Sequence, residues 1–240
     1  MTAPEDTNAE IWMSESQVRH WVAGGGAREE RRLPQWQLMG ALLPFAADEP
    51  FTFADLGAGT GAASRALLDL YPKSSALLCE FSPQMAAEGH KAMAPFADRY
   101  RYVEMDLNSG EWPEEVPDSL PAVVTSLCVH HLPDERKGAL FAEIHDHLAP
   151  GGWYLNYDPV RTDDAAVTAA WTRANDRSDP EAAEKARHRT PSEQARYENH
   201  VRYISPLAPQ LTALRAAGFE AVDVYWRQCD MVIFGGRRAG

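Results

Sequence analysis

Short apolar runs alternate with segments whose apolar positions recur every three or four residues, most clearly between residues 51 and 160. "FTFADL" reads as a buried strand. The helix after the glycines that follow it places Ala63, Leu67 and Leu70 on one face before Pro72 stops it. "SALLCEF" predicts a second strand, and "SPQMAAEGHKAM" a helix with Ser82 as N-cap and Pro83 at its first position, where a missing N–H costs nothing. "YRYVEMDL" and "PAVVTSLCV" are the third and fourth strands. A helix from Asp134 to Leu148 then carries Leu140, Phe141, Ile144 and Leu148 in one stripe and ends at "PGG", and "WYLNYDPV" is the fifth strand. Strands alternating with helices imply a parallel, doubly wound α/β sheet. Near the end, "EAVDVYW" and "DMVIFGG" are separated by only three residues, which predicts an antiparallel hairpin and brings the sheet to seven strands.

Two segments depart from this rhythm. Residues 1–50 carry helical stretches over about 13–23 and 28–45, separated by "AGGGA", a flexible break that a helix interior tolerates poorly. Residues 161–204 are rich in charge and alanine and poor in large aliphatics, as solvent-facing helices would be. The alternation resumes with Ser205 and Pro206 opening a helix that presents Leu207, Leu211 and Leu214 and closes at Gly218. The expected organisation is an N-terminal helical cap (1–50) and one α/β domain (51–240) with a helical insertion after strand five (about 161–204).

Composition narrows the partners. With 23 Lys and Arg against 35 Asp and Glu the formal charge is −12, which disfavours nucleic acid and anionic membrane and favours a small molecule. No apolar run approaches the roughly 18 residues of a membrane span, and "MTAPEDTNAE" lacks the pattern of a signal sequence, so a cytoplasmic protein is expected. Cys79, Cys128 and Cys229 are isolated and read as small buried hydrophobes. His130, His131, His145 and His147 invite a metal reading. However, His145 and His147 stand two apart on a predicted helix, so they point to different faces; they read as solvated residues, and no metal is expected.

The chemistry concentrates in "FADLGAGTGAASRAL". Gly57, Gly59 and Ala62 satisfy the dinucleotide pattern G-x-G-x-x-G/A, and Glu80 follows at roughly the 20-residue distance of a ribose-binding acid. In a doubly wound sheet this loop lies beyond the carboxyl end of the first strand, where ligands bind. Asp55 decides against a nicotinamide dinucleotide: a carboxylate two residues before the first glycine repels a pyrophosphate and welcomes an ammonium group.

"DLGAGTG" resembles the first motif of the class I S-adenosylmethionine-dependent methyltransferases, and the order of elements is similar to theirs over residues 51–158 and, in topology, over 205–236. The resemblance implies a Rossmann-like fold and S-adenosylmethionine as cofactor, leaving S-adenosylhomocysteine. It implies that Asp55, Gly57, Ala58, Gly59 and Gly61 form the cofactor loop and that Glu80 in "LCEFSPQM" holds the ribose. Phe81 and Met85 would then flank the adenine. Asp106 in "VEMDL" would meet the adenine amino group, with Leu107 offering its backbone, and the carbonyl of Leu127 in "TSLCVHHL" would lie beside the methionine portion. "LAPGGWYLN" resembles the family's approach to strand five. The Asn/Asp-Pro-Pro-Tyr tetrapeptide of the amino-group methyltransferases acting on bases and glutamine is missing; "SLCVHH" stands in its place, which turns the expectation towards an O or N atom of a small molecule.

Such a transfer needs an acceptor held in line, water excluded and a base for the acceptor's proton. His130, His131 and Asp158 lie on loops at the carboxyl edge and are the candidate catalytic residues; adjacent side chains diverge, so at most one of the two histidines is expected to reach the acceptor. Trp12, Trp21, Trp36, Trp171, Tyr197 and Tyr203, in the segments outside the alternating core, are candidates for an aromatic acceptor pocket, with a hydrophobic seam as the plainer reading. Arg28, Arg31 and Arg32 in "GAREERRLPQW" either meet a carboxylate on the acceptor or form a solvated helix face with their neighbouring glutamates. The expectation is a monomeric or homodimeric enzyme. Its rivals are an enzyme of the same fold with non-methylating chemistry, a nicotinamide-dependent oxidoreductase and a non-catalytic partner subunit.

Overall fold

A computed structural model describes residues 12–240; the stretch "MTAPEDTNAE" lies outside them. Two helices, α1 (Glu15–Ala23) and α2 (Gly25–Leu42), precede β1 (Thr52–Leu56), α3 (Ala62–Leu70), β2 (Ser75–Glu80), α4 (Pro83–Ala92) and β3 (Tyr100–Glu104). Then come β4 (Leu120–Ser126), α5 (Asp134–His147) and β5 (Leu148–Pro159), three helices α6 (Ala165–Ser178), α7 (Pro180–Arg187) and α8 (Pro191–Val201), and finally α9 (Leu207–Ala216), β6 (Glu220–Gln228) and β7 (Met231–Arg237).

The seven strands form one sheet in the order β3-β2-β1-β4-β5-β7-β6. The first five pair in parallel. β7 runs antiparallel between β5 and β6. Successive residues of a strand face opposite sides, and here both sides are apolar because helices cover both. Ala54, Leu56 and Val123 join Leu140, Phe141, Ile144 and Leu214 in one core layer. Phe53, Ala122 and Val124 join Trp36, Met39, Leu67 and Leu68 in the other. The chain reverses its winding between β1 and β4, so the carboxyl ends of these strands open the crevice in which the candidate site lies.

Local chemistry explains most of the boundaries. Ser82 caps α4 by accepting the Met85 N–H, with Pro83 in the first turn. Three boundaries differ from the sequence expectation. Gly24 alone separates α1 from α2: Gly25 and Gly26 are already helical, and the helix also carries Pro34. β4 ends at Ser126, before "LCV", because Leu127 takes a left-handed φ of 55° and turns the chain. β5 begins at Leu148 and runs through "PGG", where Gly151 has φ 79°. Leu70, expected on the buried face, is exposed. His145 and His147 are packed, not solvated: His145 meets the edge of Phe219 and His147 stacks on Trp112 at 3.8 Å between ring centroids.

Residues 161–204 form α6, α7 and α8, among whose residues only Ala183 is buried. Each is capped locally, by Asp164, Asp179 and Thr190, the last in a capping box with Glu193. Among the described residues no helix is long and apolar enough to cross a membrane. Phe141 is fully buried against Tyr154 beneath the sheet. We predict that Phe141→Ala lowers stability by about 3–5 kcal/mol, read as a fall in the urea midpoint with an unchanged m value.

Candidate active site

The glycine loop is shaped by its neighbours. Gly57 has φ 69°, and a Cβ there would lie 2.0 Å from the Cys128 sulfur. Any side chain at 57 would collide with the loop after β4 as well as strain the backbone. Gly57 and Ala58 donate to the Cys79 carbonyl at 2.8 and 3.1 Å, and the Tyr102 hydroxyl donates to the Gly59 carbonyl at 2.9 Å, so the loop is tied to β2 and β3. Gly61 shapes the site from behind, packing on Leu78 and Met93 at the start of α3.

Two carboxylates end the adjacent strands. Asp55 is buried and accepts from the Ser64 hydroxyl at 2.7 Å; burial pushes its pKa up to about 7 against the pull of the Ser64 hydroxyl and backbone, with Glu80 pushing further. Glu80 accepts the Gly59 and Ser82 N–H groups, each at 2.8 Å; burial raises its pKa while those bonds hold it down. Asp106 is exposed and accepts from the Asn108 backbone and side chain, and the Leu107 carbonyl is taken by Arg136 at 2.6 Å.

The wall opposite is built by the loop after β4. Asp158, at the end of β5, binds His130 with both oxygens, accepting from its backbone N–H and from Nδ1 at 2.7 Å each. The carboxylate fixes Nδ1 as the protonated nitrogen, so Nε2 carries the lone pair. Nε2 is buried and, among the described residues, has no hydrogen-bond partner. His131 and His200 crowd around it, with ring centroids 3.9 and 5.0 Å from that of His130. Burial first, then the neighbouring His130, His200 and Lys137, hold the His131 pKa well below the ordinary value. One ligand atom from each histidine lies within 4.8 Å of the others, close enough for a shared ion.

Both halves open on a cavity of about 460 Å³, within the size range of small-ligand sites. Asp55, Gly57, Ala58, Gly59 and Glu80 line it, as do Phe81, Met85, Asp106, Leu107 and Leu127. Gly61 does not. His130 and His131 line it, whereas Asp158 acts through His130. Of the aromatic candidates Trp12, Trp21, Trp36 and Tyr197 line it. Trp171 and Tyr203 do not: Trp171 lies under Arg227, and the Tyr203 carbonyl is bound by the buried Lys137. The aromatic residues also pin the N-terminal helices, since the Trp36 indole donates to Ser126 at 2.7 Å and the Trp12 carbonyl accepts from Ser82 at 2.5 Å. Arg28 and Arg32 line the cavity, while Arg31 faces outward towards Asp179. Sequence reasoning missed His200, which comes from a segment without apolar periodicity and meets the site only through the fold of α8.

A seven-stranded sheet with this order, an antiparallel penultimate strand and a buried acid before a glycine loop is the fold of the class I S-adenosylmethionine-dependent methyltransferases. Residues 53–152 match the family described as "Methyltransferase domain". Among solved structures it superposes on human N-acetylserotonin methyltransferase in complex with SAM, at TM-score 0.67 and 16% identity over 100% of this chain and 61% of that one. It also superposes on PigF with SAH (0.66, 17%, 95% and 61%). A third match is an O-methyltransferase family 2 protein from Planctomyces limnophilus in complex with apigenin (0.66, 15%, 94% and 62%). The chain thus spans about three fifths of the length of these proteins. No curated protein sequence matches it.

The donor set fits that cofactor. Glycines let a ligand approach the backbone, the buried carboxylates can accept from hydroxyl and ammonium groups, and Met85 and Phe81 offer apolar contact. Asp55 also carries a pH signature. Its folded pKa of about 7 lies above its ordinary value of 3.8, so the folded chain holds a proton that the unfolded chain has released. Stability contributed by this group is therefore full below about pH 4 and is lost as pH rises towards 7. Asp55→Asn should raise the melting temperature of the ligand-free protein by roughly 4 °C or more at pH 8 and by less at pH 5, measured by differential scanning fluorimetry.

Proposed function

We propose that this protein is a methyltransferase that moves the methyl group of S-adenosylmethionine to an O or N atom of a small-molecule acceptor. The observation that carries the reading is the shared cavity: Asp55 and Glu80 line it together with His130, whose buried Nε2 has no hydrogen-bond partner among the described residues. Bound there, the cofactor supplies a methyl group already activated on a sulfonium. Glu80 would hold the ribose, Asp55 would counter the ammonium group, Phe81 and Met85 would flank the adenine, and Asp106 and Leu107 would meet its edge.

The chain's remaining task is to orient the acceptor and take its proton. His130 Nε2 is the base, and Asp158 is its positioning residue, fixing the tautomer and stabilising the imidazolium that forms. Trp12, Trp21, Trp36 and Tyr197 line the acceptor's side and suit a flat ring. The helices α6–α8 act as a lid that excludes water, reaching the cavity through Tyr197, His200, Val201 and Ile204. A small molecule is the partner; the net charge of −12 disfavours nucleic acid, and a monomer or homodimer working in the cytoplasm is the reading for the assembly and its place.

Calorimetric titration tests the cofactor half: S-adenosylhomocysteine should bind in the micromolar range and Glu80→Ala should weaken it at least tenfold. Mass detection of methylated products from a panel of phenols and amines tests the transfer. His130→Ala should then lower kcat by about 10²–10⁴ while leaving S-adenosylhomocysteine affinity within twofold. No binding to the wild type sinks the reading, and full activity in His130→Ala removes the base.

A further inference from the structure

Arg28 and Arg32 stand one helical turn apart on the same face of α2, and both line the cavity. Arg31, between them, is the arginine that faces solvent, with its side chain 63% exposed and 4.0 Å from Asp179. The two inward arginines are short of partners. The Arg28 guanidinium lies 4.8 Å over the Trp21 ring and donates to the Trp21 carbonyl, but its Nε is buried and unbonded. Arg32 is half-buried and, among the described residues, makes no hydrogen bond or ion pair. Burial, Arg28 and Arg31 together press its pKa down, as expected of a cation in a dry and cationic corner.

The acids nearby are otherwise engaged. Glu29 binds Arg65 at 2.5 Å, and Arg65 in turn donates to the Thr60 carbonyl at the glycine loop. Asp230, also on the cavity wall, accepts from the Asn175 amide at 2.9 Å. A half-buried cation without a counterion carries part of the desolvation cost of a buried one, and a second one a turn away raises it. Arg32 and His200 line the same cavity, and Arg32 acts electrostatically on Tyr157 of β5 and on His200 of α8.

We propose that Arg32, backed by Arg28, is an anion subsite that reads a carboxylate on the methyl acceptor. The inference rests on the methyl-transfer reading and deepens it: the acceptor is an aromatic acid, its ring against the tryptophans, its carboxylate on the guanidinium and its hydroxyl or amine towards His130. Arginine suits the task because its planar fork meets a carboxylate with two parallel hydrogen bonds. In a chain of net charge −12, a basic corner inside the cavity also concentrates an anionic ligand that the outer surface repels.

The test titrates the three hydroxybenzoate isomers and their methyl esters into the protein, with and without saturating S-adenosylhomocysteine, following tryptophan fluorescence. At least one acid should bind tenfold or more tightly than its ester. Arg32→Gln should abolish that preference without changing ester affinity, and Arg32→Lys should restore part of it. Equal affinity for acid and ester, or no binding of any acid, overturns the proposal. If Arg32→Gln instead weakens S-adenosylhomocysteine tenfold and leaves the benzoates unchanged, the carboxylate being read is that of the cofactor's amino-acid tail, which overturns the acceptor assignment. Failure of the wild type to bind S-adenosylhomocysteine sinks the methyl-transfer reading separately, because the acid-against-ester comparison is also made in its absence.

Discussion

Two carboxylates buried at the ends of neighbouring parallel strands set the terms for the surrounding structure. Asp55 and Glu80 are both desolvated, and each resists ionisation for that reason. The fold answers with donors where it has them: the Ser64 hydroxyl for Asp55, and the Gly59 and Ser82 backbone for Glu80. Those donors are themselves placed by the left-handed turns of the glycine loop and by the start of α4. Elsewhere the two faces of the sheet are mostly apolar, with Thr125 and Asn156 as a fully buried polar pair between β4 and β5.

The loop after β4 completes the edge by the opposite device. Where Glu80 is held by backbone donors, His130 is held by an acid, and its free nitrogen is left without a partner. Leu127 takes a backbone conformation that costs a β-carbon residue about 1 kcal/mol or more, at the point where the chain must leave the sheet to place that histidine. Strain and an unmet hydrogen bond thus fall within four residues of each other, as they do where a protein is organised around a ligand.

How far the sequence reveals this depends on how local the determinant is. The strands, the glycine loop and the acids that end β1 and β2 follow from period-two apolar runs and from turn chemistry, so Asp55 and Glu80 could be placed by pattern alone. His200 could not. It lies 70 positions after His130 in helices with almost no buried face, so no periodic signal points it inward. Arg28 and Arg32 had the spacing of one helix face, but which face turns inward was decided by Trp36 and Met39 packing on the core. Trp171 and Tyr203 show the converse, since an aromatic residue in a sequence looks the same whether it faces a cavity, an arginine or a lysine-clamped turn.

The capping of the insertion bears on what opening the cavity would require. α6, α7 and α8 each carry their own N-terminal side-chain cap and bury almost nothing, so their first turns are satisfied locally and not by the body of the molecule. Moving them aside means parting a few contacts, such as the imidazole edges around His200, the stack of Arg227 on Trp171 and the amide of Asn175 on Asp230. No helix has to melt. In the methyl-transfer reading proposed above, that leaves release of a spent cofactor to the grip of the glycine loop and its acids, with residues 160–164 and 202–206 joining the three helices to the body of the molecule.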